Sequence, residues 1–190
     1  ITGGRKYLNV KEIKIENPGD AIKHKIAYVP EDRKVLGLDL NSRICNNILL
    51  TNMDKIAPKF FLNRKAEREI ADEMVEKLKI KTPSIFQEAG NLSGGNQQKI
   101  VLAKWLSRDL DVLILDEPTR GIDVGAKYEI YQLMNELIDQ GLSIVMISSE
   151  LPEIIGMSDR IYIMYEGKIR GELNSGVDEI TQENILYYAA

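Results

Sequence analysis

Four apolar residues, Val112-Leu113-Ile114-Leu115, run without a break into Asp116-Glu117-Pro118-Thr119. An acid buried at a strand end needs a partner or a cation. An aspartate at the carboxyl end of a parallel strand can hold Mg²⁺ through water, and the next acid can orient or deprotonate an attacking water. The plainer alternative is that the two acids open a turn, because Asp-Glu-Pro is also good loop chemistry. A second constellation, Ser93-Gly94-Gly95-Asn96-Gln97-Gln98, leads into Lys99-Ile100-Val101-Leu102-Ala103. Ser93 is a good N-cap, and the glycines leave backbone N–H groups unshielded where a helix begins. That end carries partial positive charge and suits an anion. An ordinary glycine-containing cap is the competing reading.

Such groups act together only if the elements behind them converge. Val112–Leu115 and Ser143–Ile147 are continuous apolar runs, the pattern of strands buried on both faces of a parallel sheet. The helical segment Val124–Asp139, ended by Gln140-Gly141, lies between them. Ligands of an open parallel sheet sit beyond the carboxyl ends of its strands, which is where the acid pair falls. Upstream, Lys6–Val10 and Glu12–Glu16 alternate as an edge hairpin. Pro18-Gly19-Asp20 opens a short helix, and Ile26–Val29 is a strand stopped by Pro30 before the charged loop Glu31-Asp32-Arg33-Lys34.

The middle of the chain is helical. Asn41 or Ser42 can cap a helix through Ile48 and Leu49. Asn63 caps a longer one with Ala66, Ile70, Met74 and Leu78 at helical spacing, and Ser84 with Gln87 resembles a capping box. Ile161–Tyr165 and Lys168–Leu173 flank the turn Glu166-Gly167, and Thr181–Tyr188 closes as a helix. Trp105, Met146, Met157 and Met164 are expected in the core, Cys45 as a small buried group and His24 at the surface.

Composition narrows the field. The 190 residues are 44% hydrophobic and 28% charged, which suits one globular domain. One cysteine cannot pair within the chain, and one histidine excludes chemistry that needs two. The net charge is -4 and no basic block interleaved with aromatics occurs, so a nucleic-acid groove has no support. The apolar runs fall far short of the ~20 residues a bilayer requires, so no direct membrane insertion is expected. A phosphate-cradling G-x-x-x-x-G-K-[ST] does not occur: Gly90 to Gly95 is followed by Asn96, and Gly3-Gly4-Arg5-Lys6 has the wrong spacing.

In order and spacing these pieces resemble the ATP-binding cassette ATPases. Leu92 to Lys99 is similar to the family's signature motif, Val112 to Glu117 to Walker B with its catalytic glutamate, and Gly121-Ile122-Asp123 to the D-loop. A narrower likeness is carried by Tyr28-Val29-Pro30-Glu31-Asp32-Arg33-Lys34, by Asp116 to Lys127 and by Ser148-Ser149-Glu150-Leu151-Pro152-Glu153. These resemble the second, C-terminal cassette of bacterial monosaccharide importers of the ribose and galactose type, whose ATPase subunit carries two cassettes in one polypeptide.

The resemblance implies an α/β fold: a P-loop NTPase-like ABC ATPase domain with a mostly parallel core sheet, an edge β-hairpin and a helical subdomain. It is expected to be truncated, with Walker A lying before Ile1. The implied division is an edge-β and Q-loop-like segment (1–40), a helical subdomain (41–90), and a part (91–190) with signature helix, Walker B, D-loop and C-terminal core.

The implied activity is that of a transport ATPase, a translocase, with ATP and Mg²⁺. Glu117 would be catalytic, with Asp116 and Glu31, the latter in place of the Q-loop glutamine, toward the metal. Ser93, Gly94, Gly95 and Gln97 would meet the γ-phosphate of nucleotide held by the other cassette, with Asp123 also nucleotide-binding. Ser149 stands at the switch position, where histidine is usual, and Val10 and Lys25 stand where relatives often carry glycine. The implied partners are the N-terminal cassette of the same polypeptide, transmembrane permease subunits and, indirectly, a sugar-binding protein, at the cytoplasmic face of the bacterial inner membrane.

Without a phosphate loop the chain alone is expected to be inactive, and exposed sheet edges to favour self-association. Two rivals come from other classes: a non-catalytic docking or regulatory module on this fold, and a soluble cassette of translation or DNA repair, which the acidic balance disfavours. Nucleoside-type importers often lack the acid pair, so Asp116-Glu117 argues for the sugar group.

Overall fold

In the computed structural model, which describes residues 4–53 and 63–189, apolar–polar alternation produces the expected first hairpin. β1 (Lys6–Leu8) pairs antiparallel with β2 (Lys11–Ile13). Its turn places Asn9 and Val10 at φ 49° and 65°, the left-handed region where a β-branched residue is strained. Val10 thus holds a glycine-type conformation with a branched side chain, and Lys25, at φ 57°, holds the same left-handed conformation before the next strand. α1 (Pro18–Lys23) starts at Asn17, whose side chain accepts from the Asp20 N–H, with a proline in its first turn.

β3 (Ile26–Val29) runs parallel to β4 (Val112–Asp116), with Tyr28 opposite Ile114 and Val29 opposite Leu115. With β5 (Ser143–Ile147) the sheet order is β3-β4-β5. Val29, Leu113 and Leu115 are fully buried, as are Ile100 and Val101 of α4 (Gly94–Leu106) and Ile130 of α5 (Val124–Asp139). β5 departs from its predicted double burial: its exposure alternates along the strand, with Val145 at 50% and Ile147 at 49%. An apolar run therefore marked a strand with one covered face.

The helical insert contains α2 (Ile44–Leu49) and α3 (Arg64–Lys77); residues 54–62 lie outside the described residues. Asn63 caps α3 as its spacing requires, accepting from the Lys65 and Ala66 N–H groups. Neither Asn41 nor Ser42 caps α2. Ser42 donates instead to Asp39 (2.7 Å), and the N–H groups of Ile44 and Cys45 donate to the carbonyls of Gln87 and Ile85. That exchange also explains why Ser84 and Gln87 start no helix: their segment is a turn, followed by an antiparallel bridge between Arg43 and Glu88. Cys45 is buried with Ala71 and Ile85, as expected.

The chain packs as two compact units, 1–145 and 146–190, with the boundary inside β5. In the second, α6 (Leu151–Met157) precedes the antiparallel pair β6 (Arg160–Tyr165) and β7 (Lys168–Asn174), and α7 (Gln182–Ala189) follows. Ile161, Ile163, Leu173 and Ile185 form its core. Met164 is not part of it: strand alternation sends Ile161 and Ile163 inward and leaves Met164 64% exposed.

Candidate functional site

The parallel register of β3 and β4 delivers Glu31 and Asp116 from the same end of the sheet. The Tyr28 hydroxyl donates to Asp116 Oδ2 at 2.7 Å, and this bond, then partial burial and the negative charge, raises the phenol above its ordinary range. Glu117 follows at φ 47°, a left-handed conformation unusual for a non-glycine residue. Its carbonyl accepts from the Arg120 N–H (3.1 Å), and Pro118 and Thr119 are buried behind it. The acid pair therefore ends the strand and opens a turn, as its plainer reading expected.

Glu31 is exposed and forms an ion pair with Arg120. The charged loop after it is a single wide turn, Arg33–Gly37, in which the Asp32 carboxylate accepts from the N–H groups of Lys34 and Val35 (3.0 and 3.1 Å) and Leu38 N–H reaches the Arg33 carbonyl. Lys104, buried on α4, anchors its end by donating to the Gly37 carbonyl at 2.6 Å. Burial lowers the pKa of that ammonium. The Arg33 guanidinium reaches back to the segment after Glu117, donating to the carbonyls of Arg120 (2.7 Å) and Gly121 (3.1 Å).

Ser93 caps α4 as expected, its hydroxyl accepting from the Asn96 N–H at 3.5 Å and also from the Asn96 side-chain amide at 3.0 Å. Gly94 and Gly95 have local reasons to lack a side chain. A Cβ on Gly94 would lie 2.8 Å from Arg33 Nη2, and one on Gly95 would lie 2.5 Å from Ala126 Cβ on α5. Gln97 is 5% exposed, with its amide nitrogen donating to the Leu92 carbonyl at 3.1 Å. Asp123 caps α5 by accepting from the Ala126 N–H at 2.9 Å. Further along α4, Lys99 is buried and donates to Glu129 of α5 (2.8 Å), which Lys81 also engages (3.1 Å). Ser149, in the second unit, is exposed between β5 and α6.

Hard carboxylate oxygens are the donors Mg²⁺ prefers, and that ion commonly uses one or two of them beside water and phosphate oxygens. Asp116 fits this use. Among the described residues no three acidic, histidine or cysteine side chains converge into a ready-made metal cage, and Glu31 is engaged by Arg120. Two residues at the site escaped sequence reasoning. Tyr28 looked like part of an apolar strand, and Arg33 like one charge in a loop; no periodicity marks a contact across almost ninety residues.

A family model described as ABC transporter matches residues 2–120. A xylose import ATP-binding protein of Thermoanaerobacter pseudethanolicus is 57% identical over 186 residues, 98% of this chain and 36% of that protein. A ribose import ATP-binding protein of Bacillus subtilis is 50% identical over 98% of this chain and 37% of its own length. The chain thus spans about a third of the curated relatives it matches. Among solved structures, MJ1267, an ATP-binding cassette of an ABC transporter characterised in a twinned crystal, aligns with TM-score 0.79 at 20% identity over 98% of this chain and 77% of that one. The ADP- and phosphate-bound dimeric cassette MJ0796 aligns with TM-score 0.73 at 20% identity, covering 91% and 74%.

Proposed function

The chain belongs to the ABC transporter family, and from that premise we propose that it forms the C-terminal part of an ATP-binding subunit that couples MgATP binding and hydrolysis to monosaccharide import. The names of its relatives support the substrate class, since they are ATP-binding proteins of xylose and ribose import. The observation that carries the reading is the acid pair Asp116-Glu117 at the carboxyl end of a buried parallel strand, beside the Glu31 loop.

In this reading Asp116 holds the cation that accompanies ATP, with Tyr28 fixing one of its oxygens. Bound Mg²⁺ supplies neutralisation of charge across the phosphates. Glu117, at its left-handed backbone position, would accept a proton from the attacking water. Glu31, paired with Arg120 through one oxygen, would be the second carboxylate toward the cation. Ser93, Gly94 and Gly95 present the start of α4 to nucleotide held by the N-terminal cassette, where N–H groups and helix dipole favour phosphate. Gln97 shapes the preceding loop from inside, Asp123 fixes the start of α5, and Ser149 takes the switch position.

The wide turn after Glu31 exposes Val35 and Leu36, at 74% and 70%. With the helical segment 41–90 it is the proposed contact for the permease, to which a sugar-binding protein delivers the sugar. Peripheral attachment at the cytoplasmic membrane face accords with this: no described helix is long and apolar enough to cross a membrane. The 190 residues contain no G-x-x-x-x-G-K-[ST], so nucleotide affinity is expected to require the whole subunit.

The test is Glu117→Gln in the full-length subunit assembled with its permease. Loss of a general base lowers turnover by about 10²–10⁴, with nucleotide binding retained and transport abolished. Unchanged turnover and transport would instead identify a non-catalytic module.

A further inference from the structure

Arg33 stands where three motif segments meet. One guanidinium nitrogen donates to the Arg120 carbonyl at 2.7 Å and the other to the Gly121 carbonyl at 3.1 Å. Arg120 returns the contact by pairing its own guanidinium with Glu31. The loop after β3 and the loop after β4 are therefore tied twice, in opposite senses. The third segment is the start of α4: the missing side chain of Gly94 makes room for the Arg33 head group, since a Cβ there would sit 2.8 Å from Nη2 and 3.1 Å from the Gly121 carbonyl.

Arg33 Nε is also buried and has no hydrogen-bond partner among the described residues. A partly desolvated guanidinium with one orphaned donor is a costly group to keep in a loop, and its two remaining bonds are charge-assisted. A planar fork meets two adjacent carbonyls with its donors already fixed in direction, whereas an ammonium carries its three donors at one point on a flexible stem.

Resting on the ATPase reading above, we infer that Arg33 is a positioning residue that couples this cassette's own nucleotide face to the face it offers the other cassette. Glu31, Asp116 and Glu117 belong to the first face, Ser93 to Gly95 to the second, and Arg33 touches segments of both. Displacement of the Glu31 loop by nucleotide is transmitted through its fork to Arg120-Gly121 and to the N-terminus of α4. A strut that only held the fold together would contribute to stability without linking the two faces.

The experiment uses the full-length subunit with its permease, comparing wild type, Arg33→Ala and Arg33→Lys. Steady-state turnover is read against ATP concentration, and deuterium exchange of residues 92–98 and 119–126 is read with and without a non-hydrolysable ATP analogue. In wild type the analogue protects both segments together. In Arg33→Ala it protects at most one, kcat falls about tenfold, KM stays within about twofold and cooperativity between nucleotides is lost. Arg33→Lys, which keeps the charge and loses the fork, does not restore joint protection. Joint protection retained in Arg33→Ala overturns the inference, as does full rescue by lysine. Failure of the ATPase reading has a different signature, unchanged turnover in Glu117→Gln, and the exchange measurement judges Arg33 in either case.

Discussion

Gly95→Ala tests whether the start of α4 is fixed by packing. The new methyl would fall 2.5 Å from Ala126 Cβ, whereas carbons settle at about 3.5–4.0 Å. The overlap is therefore about 1 Å, and both atoms sit directly on helices, so no flexible side-chain end can yield. Overpacking of this kind costs about 1–3 kcal/mol, against which alanine recovers about 0.5–1 kcal/mol of backbone entropy. The expected net loss is about 0–2.5 kcal/mol, read as a lower midpoint at unchanged slope in equilibrium urea unfolding. Gly125→Ala is the matched control. Its Cβ would meet only Asp123 Oδ1, at 3.5 Å, so it should gain stability by a fraction of a kcal/mol. Ala126→Gly should restore most of what Gly95→Ala loses. If Gly95→Ala is as stable as Gly125→Ala, or if Ala126→Gly gives no recovery, the α4–α5 contact does not explain the glycine.

Two further outcomes are expected. Val10→Gly relieves a branched residue at φ 65° and should stabilise the first hairpin by up to about 1 kcal/mol, measured by thermal or urea unfolding. Glu129→Gln removes the carboxylate shared by Lys99 and Lys81 and should cost about 1 kcal/mol near neutral pH, a figure discounted for the exposure of Glu129. Hydrogen bonds from Lys99, then Lys81, hold that carboxyl below its ordinary value of 4.5. A depressed acid contributes stability above its unfolded value and loses it as pH falls through the folded one. The gap between wild type and Glu129→Gln should therefore be level above pH 4.5 and narrow below it, in urea titrations repeated across that range.

Local signals were legible in the sequence. Asn63, Ser93 and the Gln140-Gly141 stop marked helix ends because each acts within a few residues of itself, and Glu166-Gly167 marked its hairpin for the same reason. The start of α2 was misread because its donors are satisfied by carbonyls some forty residues away, which no local pattern reveals. β5 and Met164 were misread because apolar character reports what a residue tolerates, while exposure depends on what covers it. At the site, Asp116 and Glu117 were conspicuous as acids interrupting an apolar run. Arg33 and Tyr28 were not, since a basic residue in a charged loop and a tyrosine in a strand are both unremarkable until β3 and β4 are laid side by side.

The parallel pairing of β3 with β4 also acts as a ruler, and it makes the two ends of the sheet unequal in the changes of length they accept. Removing one residue from Ile26–Val29 would turn Tyr28 to the opposite side of the strand and draw Glu31 and Arg33 out of step with Asp116 and Arg120. The same deletion between β2 and α1, or an insertion beside Gly141, would be absorbed in a surface connection before the register begins. Variation in chain length should therefore gather at the amino ends of these strands, while the carboxyl ends keep an invariant count.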